Sequence, residues 1–111
     1  MSALFRSYTP GDEERATLDR DGHIALPGLL TDEACDELTQ ALAQIQALPM
    51  DDEEYPPNRY AAEFNIYLES LIGHPQVLAL ARWVLGEEIR YDHCVALNRP
   101  GGDGGTHWHS H

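Results

Sequence analysis

The chain contains no lysine, and its 111 residues include only two cysteines. All seven basic side chains are arginine and face 19 aspartates and glutamates, for a net charge of -12. A field of that sign repels a phosphate backbone and an anionic bilayer alike, which excludes nucleic acid and membranes as expected partners. Cys35 and Cys94 stand far apart in no Cys-x-x-Cys pattern. The sequence therefore predicts a reduced, cytoplasmic protein rather than a disulfide scaffold. No apolar run approaches the roughly 18 residues that a membrane span needs. The opening Met1-Ser2-Ala3-Leu4-Phe5-Arg6 lacks the apolar centre of a signal peptide.

What is present is ordinary for a globular chain: 42% hydrophobic and 23% charged residues, enough for one domain or part of one. Residues 1–20 are polar and read as a flexible N-terminal segment with a turn at Pro10-Gly11-Asp12. From residue 21 to 111 the pattern is that of one domain. Asp21-Gly22 leads into Ile24-Ala25-Leu26, a short strand closed by Pro27-Gly28. Thr31 and Asp32 offer N-caps, and Glu33 falls where the helix dipole favours a carboxylate. Ala34, Leu38, Ala41, Leu42, Ile45 and Leu48 then recur every three or four residues, the buried stripe of a helix that Pro49 ends.

The acidic run Asp51-Asp52-Glu53-Glu54 with Tyr55-Pro56-Pro57 reads as a solvated connection, since four successive acids do not converge on one ion. Residues 62–72 fit either a short helix or an extended piece. His74-Pro75 opens a further helix, with Val77, Leu78, Leu80, Ala81, Val84 and Leu85 apolar and Gly86 ending it. Residues 89–98 are rich in strand formers, with Tyr91, His93 and Val95 on one face, and 99–105 form a Gly-rich loop. The tail, 106–111, reads as the start of another strand. Helices come first and strands last, so the pattern predicts an α+β chain whose sheet is cut short.

Three of the six histidines occupy positions 107, 109 and 111. On a strand their rings share one face, and two imidazoles so spaced chelate a first-row metal whose third ligand comes from a distant part of the fold. A frayed His-rich terminus is the competing reading. The specific Pro-Gly-Gly loop before the triplet and the large Trp108 within it favour a functional one.

Three stretches in order resemble the phytanoyl-CoA dioxygenase family. The first is Asp21-Gly22-His23-Ile24-Ala25-Leu26-Pro27-Gly28-Leu29-Leu30-Thr31-Asp32-Glu33. The second is His74-Pro75-Gln76-Val77-Leu78 through Leu85-Gly86 to Ile89-Arg90-Tyr91-Asp92-His93. The third is Arg99-Pro100-Gly101-Gly102 with Trp108-His109-Ser110-His111, similar to the family's Trp-His-x-Asp except at its last residue. The resemblance implies helices followed by the first strands of a double-stranded β-helix of the jelly-roll or cupin-like kind. It also implies an Fe(II) site using 2-oxoglutarate as cosubstrate and acting on a small organic molecule. By position His109 corresponds to the first ligand and His111 to the carboxylate ligand. The remaining His and the 2-oxoglutarate-binding Arg are expected beyond residue 111. An imidazole in place of the carboxylate widens the metal choice to zinc, copper and nickel. A register using His107 and His109 stays open. Asn98 and Arg99 are candidates for contacts around the site, and loop contacts are the plainer reading for both.

Two rival readings accompany this one. Gly101, five residues, then His107-Trp108-His109 fits the opening of a cupin motif. The other rival is a non-catalytic acidic binding module. Unpaired strands also lead to an expectation of self-association through sheet edges.

Overall fold

The computed structural model describes residues 4–102, 104–105 and 107–109. Four α-helices follow one another: α1 (Asp12–Asp21), α2 (Asp32–Gln46), α3 (Ile66–Ile72) and α4 (Pro75–Leu85), with a 3-10 turn at Ala61–Phe64 before α3.

α2 forms as its pattern dictates, except that Leu42 of the expected stripe is exposed. Thr31 caps it by accepting from the Ala34 N–H at 3.1 Å. Ala34, Ala41 and Ile45 are buried along one face, with Leu38 and Leu48 half-buried beside them. Ile45 is fully enclosed and, with Ala41, Ala61, Ala62, Leu68 and Ala96, forms the core. α3 starts at Asn65, whose side chain accepts from the Leu68 N–H at 3.0 Å and donates to Gln44 Oε1 at 2.7 Å, tying α3 to α2. α4 starts at His74, whose Nδ1 accepts from the Gln76 N–H at 3.1 Å, while Pro75 fills a first-turn position whose N–H has no helical partner. On α4 Val77, Leu78, Leu80 and Ala81 are half-buried, but Val84 and Leu85 are exposed.

The segment read as flexible holds α1. Its N-terminus is closed by the Gly11 N–H donating to Glu14 Oε2 at 3.2 Å, and its C-terminus by Gly22, at φ 74°, donating to the Leu18 carbonyl at 2.8 Å. Arg15 docks α1 on α4: its guanidinium donates to the Trp83 carbonyl and lies 4.4 Å from the centre of the Trp83 ring. Before α1, residues 4–6 run antiparallel to 29–31, with one bridge at Phe5–Leu30 and the Arg6 N–H donating to the Leu29 carbonyl at 2.7 Å.

The expectation of an α+β chain opening a double-stranded β-helix is overturned. Among the described residues there is no strand, only that single bridge. Residues 24–26 form no ladder and run into the turn at Pro27-Gly28. The segment 89–98 is extended but finds no strand beside it. Its pairing is instead with a turn: the Ala61 N–H donates to the Cys94 carbonyl at 2.9 Å, and the Ala96 N–H donates to the Asn58 carbonyl at 2.8 Å. Strand propensity reports fit to a pleated surface, and without a neighbouring strand there is no such surface to fit. Two-residue alternation survives in that segment, with Cys94 and Ala96 facing the core and Tyr91, Val95 and Leu97 exposed. Among the described residues no helix is long and apolar enough to cross a membrane.

Candidate functional site

The loop leading to the histidines turns at Gly101-Gly102, where Gly102 takes φ 84°, a conformation open to glycine at little cost. Arg99 donates from Nη1 to the Gly104 carbonyl at 3.1 Å, so this side chain braces the loop. His107, Trp108 and His109 follow without regular structure and are exposed, Trp108 completely so. Packing of Trp108 therefore gives the described part of the tail no anchor.

His109 Nδ1 lies 2.8 Å from the His107 carbonyl. A carbonyl only accepts, so Nδ1 carries the proton of this bond. Metal-bound imidazoles commonly donate in this way, oriented by a carbonyl acceptor. Residues 107–109 have no regular structure where the spacing of 107, 109 and 111 predicts an extended strand. His111 lies outside the described residues. Among those described, no three His, Cys, Asp or Glu side chains gather where one ion could sit. Two imidazoles alone do not fit the donor set of an iron site.

A different group of polar side chains comes together where the extended segment crosses the turn at 56–60. Asn58, Arg59, Tyr60, Asp92, His93, Val95 and Leu97 line an open cavity of about 630 Å³. His93 Nδ1 pairs with the Asp92 carboxylate. Tyr60 is held by Tyr55, ring centres 4.4 Å apart and tilted by 33°. Beneath this cavity, burial and then Glu63 push the Cys94 thiol above its ordinary range. The sequence signal for the cavity is slight: Pro56-Pro57 announces a turn, but nothing local says which segment will cross it.

The acidic run is a solvated connection, as read from its residues. Asp52 accepts from the Glu54 and Tyr55 N–H groups at 3.0 and 2.9 Å, closing a turn on itself. Comparison with family models, with curated proteins and with solved structures returns no match.

Proposed function

We propose that the chain carries the N-terminal elements of a cytoplasmic non-haem Fe(II)/2-oxoglutarate-dependent dioxygenase that hydroxylates a small organic substrate. The observation that carries this reading is the ordered set Pro27-Gly28, His74-Pro75, Pro100-Gly101-Gly102 and Trp108-His109-Ser110-His111. The Nδ1–carbonyl bond of His109 supports it, because metal-bound imidazoles are commonly oriented by such a bond. His109 is the first ligand in this reading, and either His107 or His111 is its neighbour. The iron supplies the oxidative chemistry when bound, and the described residues contribute at most part of its coordination.

The test is anaerobic calorimetric titration with Fe(II) and, separately, Zn(II), of the chain and of its His107→Ala and His109→Ala variants. Weak, unselective binding that His109→Ala abolishes is expected. Equal affinity in the His109→Ala variant would overturn the ligand assignment.

A second reading, a non-catalytic acidic binding module, is favoured by one observation. Among the described residues the only buried polar side chain is Asn65, and its bonds are those of a helix cap and an interhelical tie.

A further inference from the structure

We propose that the cavity between the 56–60 turn and the 92–97 segment binds a small organic carboxylate, with Arg59 taking the charge and Val95 and Leu97 taking the apolar body. This is a separate site from the His-rich tail and does not depend on the oxygenase reading.

Two main-chain bonds, Ala61 N–H to Cys94 carbonyl and Ala96 N–H to Asn58 carbonyl, fix the walls relative to each other, so the cavity is formed before any ligand arrives. The same bonds turn Cys94 and Ala96 inward, which leaves Val95 and Leu97 exposed at 45% and 58% on the cavity side. Facing them is the guanidinium of Arg59. The chain has 19 acidic side chains for seven arginines. Arg6, Arg15 and Arg20 each pair with an aspartate. Arg59 lines the cavity with no ion-pair partner among the described residues. The acid in the lining, Asp92, pairs with His93.

A guanidinium beside a phenol and an amide offers a fork of donors that matches a carboxylate. Tyr60, its ring stacked on Tyr55, and Asn58, its main chain bonded to Ala96, also line the cavity and bring a hydroxyl and an amide to it. The net charge of -12 opposes any anion at long range, so binding rests on these short contacts and on apolar burial. That selects a carboxylate with a hydrophobic body over a bare inorganic anion.

The experiment compares 4-phenylbutyrate, 4-phenylbutanol and 4-phenylbutylamine with the ¹⁵N-labelled chain by NMR titration. Phenylbutyrate is expected to shift the amides of 58–60 and 92–97, with the alcohol at least fivefold weaker and the amine weaker still. Arg59→Gln, at an exposed position, should keep the spectrum of the folded chain and remove the preference for the carboxylate. Val95→Ser should weaken all three probes together. Equal binding of the acid and the alcohol, an unchanged preference in Arg59→Gln, or shifts confined to other residues would each overturn the proposal.

Discussion

The side-chain amide of Gln76 and the main chain of Phe5 bond reciprocally across 71 residues of sequence: Gln76 Oε1 accepts from the Phe5 N–H at 3.2 Å, and Nε2 donates to the Phe5 carbonyl at 3.0 Å. Oε1 also accepts from the Leu4 N–H at 3.1 Å. One residue in the first turn of α4 thus fastens the N-terminal segment. Gln76→Ala should cost about 1–3 kcal/mol, the range for losing several part-buried bonds. Urea denaturation measures that loss, and amide exchange at Leu4 and Phe5 should accelerate more than exchange within α2.

Ile45 is the largest fully enclosed side chain among the described residues. Its truncation to Ala removes apolar burial and leaves a cavity, at a cost of about 2–5 kcal/mol. Much of the core around it is alanine, which cannot lean in to fill the gap. In a chain this short that loss is a large share of total stability, and thermal melting followed by circular dichroism should show a strongly lowered midpoint.

Asn65 provides both an acceptor for α3 and a donor to Gln44. Asn65→Ala leaves the buried Leu68 N–H without its partner and should destabilise by about 2 kcal/mol. Asn65→Asp keeps the cap acceptor and loses the donor, so it should fall between the two in chemical denaturation.

Cys35 is exposed, whereas Cys94 is half-buried with its thiol pushed up by burial and by Glu63. Iodoacetamide at pH 8, with mass-spectrometric mapping, should label Cys35 at least several times faster. Tyr67 is pushed up by burial, Glu37 and Cys35. For both raised groups the folded state holds its proton longer than the unfolded chain does. Their contribution to stability is therefore whole below the ordinary thiol and phenol ranges and declines as pH rises through them, levelling once the folded groups ionise. Urea midpoints measured from pH 7 upward should fall on that alkaline side, and Cys94→Ala should flatten the first part of the fall.

The chain should show no 2-oxoglutarate decarboxylation with Fe(II), because its described residues gather no three potential ligands. Release of labelled carbon dioxide from 2-oxoglutarate is the measurement, and turnover above a metal-only control would contradict it.

The helices that were legible in the sequence are those whose local signals are self-sufficient. Thr31 with the stripe through Ile45, and His74-Pro75 with Gly86, fix α2 and α4 from neighbouring residues alone. α1 was not legible because Ala16 and Leu18 are its only apolar residues and make no stripe, and it is held by Glu14 at its start and by Arg15 reaching Trp83, 68 residues away. The strands at 24–26 and 89–98 were misread for the opposite reason. Their composition suits a sheet, but a ladder needs a partner, and the partner for 94–96 is a turn. Of the candidate site, the spacing of His107 and His109 was plain, while the carbonyl bond that curls His109 back on its own chain depends on a local conformation no spacing encodes. His111 lies beyond what the structure describes.

Ala96 has a consequence for how the molecule is made. It closes a cluster whose other members all lie between residues 41 and 68. During synthesis, α2 and α3 emerge from the ribosome well before the residue that seals them. Collapse of the nascent chain must therefore wait with an apolar seam open, and that waiting period is when a chaperone or a neighbouring nascent chain has access to it.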